Sequence, residues 1–334
     1  MSNADTDTLI TKQQGRIKAV LVDSGSLSSE NEREIIEQAG FEFDVFEGAR
    51  DDREGRIAFA QGALGIVVRA TVVDAAFLDA LPGLKAVVRC GTGYDNIDVP
   101  AATQRGIRVA NVQGYANEAV SDHALALIVA CARGLSLGER LFRETFGHVP
   151  RPDIGELRSA TLGIVGLGQI GGTLAGKVQA LFARVLAYDP YIPKERFRAL
   201  GAVDTDLDTL LAESHIISLH CSLTDETRGM IDARAFAMMR RRPVFVNTAR
   251  GQIVDEQALL EALSEDRVHS AGIDVFSEEP PPPALDALLS HPRVIATGHY
   301  AFYSENAMVT LQRRAAQNLV ALLLGESIPD CLNP

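Results

Sequence analysis

Short apolar runs alternate with amphipathic stretches along this chain. The run 17–22 (IKAVLV) reads as a buried strand, 29–39 (SENEREIIEQA) as a helix stopped by Gly40, 41–46 as a strand, 51–61 as a helix and 64–68 as a strand. A helix over 74–81, stopped by Pro82-Gly83, and strands over 85–89 and 107–112 continue the series. Such alternation predicts a parallel sheet covered by helices and joined by right-handed crossovers. The first ~110 residues therefore make one α/β domain of ordinary size.

A long helical pattern over 117–141, broken at Gly134, is too apolar to stand in solvent and must bury most of its surface in a core or against a partner subunit. After it the alternation resumes, with strands over 216–220, 244–248, 271–275 and 294–297 and helices over 206–213, 232–239 and 255–264. A closing helix over 304–324 is expected to return to the first domain. Two connections between domains would form a hinge, and a cleft between them is the expected ligand site.

The stretch 161–189 (TLGIVGLGQIGGTLAGKVQALFARVLAYD) carries the most information. It reads as strand, glycine turn, helix with Leu174, Val178 and Leu181 on one face, and second strand. Gly166 permits a tight turn, Gly168 lets backbone approach a pyrophosphate and Gly171 lets the helix lie close to the strand, while Gln169 and Ile170 open the helix whose N–H groups face the phosphates. Asp189 follows Gly171 by 18 residues, near the position where a carboxylate accepts hydrogen bonds from ribose hydroxyls and repels a 2′-phosphate. NAD is therefore expected in preference to NADP.

Composition narrows the partners. At 334 residues with 46% apolar and 23% charged positions, the chain is expected to hold two globular domains, and a net charge of −12 argues against a nucleic-acid surface. Cys90, Cys131, Cys221 and Cys331 lack metal-ligand or disulfide spacing, so no metal is expected and reduced thiols in the cytoplasm are the simplest reading. The polar stretch 1–14 reads as a flexible leader without a signal-peptide core, and no apolar run reaches membrane-spanning length.

Three residues at or after strand ends have types suited to carbonyl reduction: Arg250 in VNTARG, Glu279 in DVFSEEP and His299 after the last strand. Arginine binds a carboxylate and polarises the adjacent carbonyl. Histidine exchanges protons near neutral pH, and a neighbouring carboxylate stabilises the imidazolium that donates one. The loop 89–98 (RCGTGYDNID) is either a simple turn, which its residues alone favour, or an anion cradle built from amides flanking Thr92. Arg240-Arg241-Arg242 reads as a solvated helix cap and 280–283 as a stiff proline loop.

With Arg69-Ala70-Thr71, RCGTG, GLGQIG, SLHCSLT, NTARG, DVFSEEP and His299 in this order, the chain resembles the D-isomer-specific 2-hydroxyacid dehydrogenases along nearly its whole length. Within that family it is most similar to the C-terminal binding protein and bacterial phosphoglycerate dehydrogenase-like branch. The resemblance implies an α/β fold of two Rossmann-like/flavodoxin-like domains with parallel sheets, an NAD-binding domain over 113–298 being inserted into a split substrate domain over 1–112 and 299–334. It implies Arg250, Glu279 and His299 as the catalytic group, with Arg69, Cys90, Gly91, Thr92 and Gly93 at the substrate, which turns the 89–98 loop towards the cradle reading. It further implies Thr248, Ala249 and Asp274 at the cofactor, Asp274 on the nicotinamide carboxamide. A small 2-oxo acid/D-2-hydroxy acid pair is the implied substrate, and the 117–141 helix the implied homodimer contact. An NADH-responsive scaffold that binds protein partners is the alternative; retention of the Arg, Glu and His favours the enzyme. Two positions depart from the family pattern: Gly298 stands where proline precedes the histidine, and Ser222 where proline follows SLHC.

Overall fold

The computed structural model describes residues 17–23, 28–49, 51–146 and 155–334. The polar leader expected over 1–14 lies outside them. The chain divides into two compact units, one built from residues up to Tyr115 together with Glu305–Pro334, the other from Ala116–Ser304.

In the first unit, β1 (Lys18–Leu21), α1 (Glu30–Gln38), β2 (Glu42–Val45), α2 (Arg53–Phe59), β3 (Gly65–Val68), α3 (Ala75–Asp79), β4 (Ala86–Arg89), α4 (Val99–Gln104) and β5 (Arg108–Ala110) alternate as expected, with α4 the addition. All strands are parallel, in the order β2-β1-β3-β4-β5, the doubly wound order whose switch point lies between β1 and β3. The final helix, Glu305–Leu323, packs on α1 and on β3 and β4, burying Met308, Leu311, Ala315 and Leu319. Its return to the first unit agrees with the sequence.

The second unit begins with α5 (Asn117–Ala132) and α6 (Leu135–Thr145), which bend by 50° at Gly134, a residue in the left-handed conformation. Then come β6 (Thr161–Val165), α7 (Gln169–Val178), β7 (Arg184–Tyr188), α8 (Lys194–Ala199), β8 (Val203–Asp204), α9 (Leu207–Glu213), β9 (Ile216–Leu219), α10 (Ala233–Met238), β10 (Val244–Asn247), α11 (Glu256–Ser264), β11 (Ser270–Ile273), α12 (Asp286–Leu289) and β12 (Val294–Ala296). Their order across the parallel sheet is β12-β11-β10-β9-β6-β7-β8, so the chain reverses direction between β6 and β9. A ligand crevice belongs outside the carboxyl ends of the strands at that reversal.

Aspartates set the helix starts. Asp52, Asp74, Asp98, Asp206, Asp232 and Asp255 each accept a hydrogen bond from the backbone N–H three residues on, satisfying a donor that the first helical turn leaves open.

Three expectations need correction. The helix after the glycine turn ends at Val178, so Leu181 packs from the following turn. The three arginines 240–242 lie beyond α10 and do not cap it; Arg242 bends back with φ of 51° to pair with Asp266 at 2.6 Å. Of the two burials expected for 117–141, in a core or against a partner subunit, α5 has the first, along Val120, Ala124, Leu127, Ile128 and Cys131, and α6 buries no residue within this chain. The second unit runs to Ser304 instead of stopping at 298, because backbone N–H groups of His299, Tyr300 and Ala301 are all bonded to Asp274.

Candidate active site

The glycine turn follows β6 at the strand reversal. Gly166 has φ of 90°, and a Cβ there would lie 2.5 Å from the Cys221 nitrogen, so the turn fits only because the segment after β9 meets bare backbone. A Cβ on Gly171 would collide with the Gly166 carbonyl. Gly168 has open space within 4 Å, and it begins α7 without a side-chain cap. A helix start that no side chain caps, beside an open glycine, is what a pyrophosphate requires. Gln169 is tied to Asn117 at 3.1 Å and Ile170 is half-buried.

Asp189, at the end of β7, accepts N–H groups of Leu167 at 2.9 Å and Tyr191 at 3.0 Å, which fastens the carboxylate to the glycine turn. A carboxylate has about four lone-pair positions, so it can still accept from a ribose diol. Across the turn, His220 Nε2 lies 2.8 Å from the Ser218 hydroxyl, and burial pulls the imidazole down from the usual 6.5 to about 4. Burial likewise pushes the Cys221 thiol up to about 11, so it is not a nucleophile at neutral pH. The His220 shift has a consequence for stability. Below pH 6.5 the unfolded chain takes up a proton that the folded chain refuses until about pH 4. Stability is therefore full above 6.5, falls between those values and levels off below, by up to ~3 kcal/mol. Urea unfolding at pH 7 and pH 5 should show His220→Asn losing less stability than the wild type; equal losses would contradict the assignment.

Strands β10, β11 and β12 are in register, Asn247 beside Ile273 and Ile273 beside Ala296. Their three C-terminal loops consequently emerge together. After β10, Asn247 holds the turn by accepting from the Ala249 N–H at 3.0 Å and donating to the Arg250 carbonyl at 3.0 Å. Thr248 and Ala249 are nearly buried, and Thr248 Oγ1 has no hydrogen-bond partner. A buried hydroxyl costs free energy when unpaired. Arg250 donates to the Ala249 carbonyl at 2.7 Å.

Glu279, in the loop after β11, meets His299 Nδ1 at 2.6 Å and accepts the Phe276 N–H at 3.2 Å. Burial of the Glu279 carboxyl works to raise its pKa, but the hydrogen bond and charge of His299, the Phe276 N–H and the Arg250 charge outweigh it and hold the group below the ordinary carboxylate value. Both side chains are about one-third exposed, 33% for Glu279 and 37% for His299, so the pair is open to a reactant. Sequence reasoning expected these three residues in one group; the structure pairs Glu279 with His299 at 2.6 Å and sets the Arg250 charge on the same carboxylate.

Asp274 directly follows β11. It is fully buried, and its carboxylate accepts from Thr297 Oγ1 at 2.5 Å, Tyr300 N–H at 3.1 Å and Ala301 N–H at 3.0 Å. Its geometry is that of a clamp on the His299 loop. Thr297, Asn247 and Gly251 were missed by sequence reasoning, although an asparagine closing a strand before a turn was a usable signal.

In the first unit, Asp23 at the end of β1 accepts the Arg69 N–H at 2.5 Å and the Thr71 N–H at 3.0 Å, shaping the turn at the strand reversal. The Arg69 side chain pairs with buried Glu32 at 3.3 Å and reaches the buried Cys90 thiol. Of the two glycine amides expected to cradle an anion, Gly91 is committed, donating to the Arg89 carbonyl at 3.0 Å. The Thr92 hydroxyl is turned to the Val112 carbonyl at 3.1 Å.

The second unit is thus a Rossmann-type dinucleotide-binding unit with a histidine–glutamate pair beside its strand ends. Residues 125–301 match the family model of the D-isomer specific 2-hydroxyacid dehydrogenase NAD binding domain, and the chain belongs to that family, in its phosphoglycerate dehydrogenase-like branch. It is 38% identical over 306 residues to a D-3-phosphoglycerate dehydrogenase of Archaeoglobus fulgidus, covering 91% of this chain and 58% of the relative. A glyoxylate reductase of Korarchaeum cryptofilum is 39% identical over 265 residues, 78% of this chain and 80% of the relative. Among solved structures, a glyoxylate reductase from Paecilomyes thermophila superposes with a TM-score of 0.85 at 27% identity, over 96% of this chain and 99% of that one. The chain spans between 53% and 58% of the lengths of the first phosphoglycerate dehydrogenases it matches.

Proposed function

We propose that the chain is an NAD-dependent oxidoreductase that interconverts a small 2-oxo acid and its D-2-hydroxy acid. The observation that carries this reading is the 2.6 Å His299–Glu279 pair, with the Arg250 charge on the same carboxylate, in loops of the NAD-binding unit. Glyoxylate reductases and phosphoglycerate dehydrogenases among the relatives support the substrate class.

Bound NADH supplies the hydride to the carbonyl carbon. The residues that fit it are the Gly166–Gly171 turn for pyrophosphate, Asp189 for ribose, and Thr248 and Ala249 beside the nicotinamide side, where the unpaired Thr248 hydroxyl gains a partner. Glu279 takes the Nδ1 proton of His299 in a hydrogen bond, which fixes the ring and leaves Nε2 to give its proton to the developing alkoxide. In the reverse direction the same nitrogen accepts it. Arg250 neutralises the substrate carboxylate and polarises the carbonyl. For the first unit we assign substrate recognition to Arg69 and the loop of Cys90, Gly91, Thr92 and Gly93, with Gly93 rather than Gly91 supplying the amide.

The test is loss of NADH absorbance with a panel containing glyoxylate, hydroxypyruvate and pyruvate. Turnover on at least one is expected; none across a wide panel would leave the partner-binding scaffold as the better reading. We also infer a homodimer through the second unit's leading helices. Support comes from α6, whose Leu135, Phe142 and following Phe146 are 56%, 55% and 81% exposed, with the two phenylalanine rings 6.2 Å apart. Light scattering should give about twice the chain mass, and Phe142→Glu should shift it towards one.

A further inference from the structure

His299 has φ of 53°, a left-handed conformation that a residue with a β-carbon keeps only where its surroundings over-determine it. Gly298 before it supplies no restraint, since a Cβ there would meet nothing within 4 Å. The restraint comes from Asp274. Its carbonyl accepts the His299 N–H at 2.7 Å, and its carboxylate accepts the next two N–H groups and the Thr297 hydroxyl. Both ends of the turn are thus tied to one buried residue.

Proton accounting extends the network by one member. Thr297 has a single hydroxyl proton, and an ionised Asp274 can only accept, so that proton is spent on Asp274. His123 Nε2 lies 3.0 Å from Thr297 Oγ1 and 3.7 Å from Asp274 Oδ1. In that bond His123 must therefore be the donor, through Nε2–H. Its ring also meets the Tyr300 ring edge-on, with centroids 5.0 Å apart at 74°. The contact depends on α5 lying close to β11: a Cβ on Gly272 would be 2.9 Å from Leu127 Cβ, one helical turn beyond His123.

We propose that His123 is a positioning residue for His299. Donating to Thr297 and packing on Tyr300, it fixes the flanks of the turn, orients the Asp274 carboxylate and so holds the imidazole where Nδ1 meets Glu279. This network supplies the stiffness that proline supplies at position 298 in the family pattern. The proposal rests on the reading of His299 as the proton-transfer group.

The experiment compares wild type, His123→Ala and His123→Gln as full chains, by steady-state kinetics with NADH and the best 2-oxo acid of the panel, NADH binding, and amide hydrogen exchange over residues 297–303. His123→Ala should lower kcat by about 10- to 100-fold, with KM and NADH affinity within about threefold, because misplacing a reacting group costs rate more than binding. Exchange at 299–301 should quicken while α5 stays protected. His123→Gln should recover most of both, since its amide nitrogen can occupy the place of Nε2 and donate. A kcat within about twofold of wild type in the alanine variant, or no recovery in the glutamine variant despite an intact α5, overturns the proposal. If wild type turns over nothing, the reaction assigned above fails, and the exchange at 299–301 alone still decides the positioning role.

Discussion

His299→Ala is expected to lower kcat by about 10²- to 10⁴-fold while NADH affinity stays within about threefold, the range over which a positioned acid/base group contributes. The ring makes its polar contact to Glu279 through Nδ1, at 2.6 Å, and its backbone N–H bonds to Asp274 persist in an alanine variant. Alanine therefore removes the proton carrier and leaves the loop anchored. The glycine turn, Asp189 and Thr248 are untouched, so binding of the dinucleotide should survive. Glu279→Gln should give a smaller loss, because the amide oxygen still accepts from Nδ1 but no longer balances an imidazolium. Steady-state kinetics with a fluorescence titration of NADH would check this. Equal loss of turnover and NADH affinity would mean that His299 acts in binding.

Gly251→Ala is expected to destabilise the second unit by about 1–3 kcal/mol and to lower kcat as well, although the residue touches no reactant. A Cβ at 251 would collide with the Phe276 carbonyl carbon and the Ser277 nitrogen. That loop cannot give way easily. The Ser277 N–H donates to Glu256 at 2.8 Å, its hydroxyl donates to the same carboxylate at 2.5 Å, and Gln252 holds its carbonyl at 2.7 Å. The crossing at Gly251 sits between Arg250 in the loop after β10 and Glu279 in the loop after β11, so relieving the collision must move one charge relative to the other. Urea midpoints should fall together with kcat. A variant with unchanged stability and unchanged kcat would show that the two loops are free to separate.

The chain's patterning made the frame legible for identifiable reasons. Strands in a parallel sheet are apolar on both faces, so runs such as IKAVLV and VFVN stand out, and aspartate caps mark the helix starts between them. Even α4, missed at first, carries its signal in Asp98 and the proline that follows it in the first turn. The glycine turn was equally readable, because each glycine answers a local steric demand that the structure bears out at Gly166 and Gly171.

The parts that residue patterning left unread depend on local backbone geometry or on contacts distant in sequence. The Gly91 amide, expected to be free, is taken by a carbonyl two residues back, and the enclosure of Asp274 by three donors from 297–301 is a product of the fold. Neither result follows from residue type. Arg240–Arg242 looked like a helix cap until the fold brought Asp266 within 2.6 Å of Arg242.

By itself, then, the sequence determined the alternation of strands and helices, the glycine turn after β6 and the residue types able to move a proton, since these depend on periodicity, backbone sterics and functional groups a few positions apart. Only the tertiary structure decided that Glu279 and His299 meet at 2.6 Å, that the loops after β10 and β11 cross at the bare backbone of Gly251, and that His123, 176 residues earlier than His299, stands behind the turn. Those depend on strand register and on how closely one helix approaches the sheet, and neither is encoded at a fixed spacing along the chain.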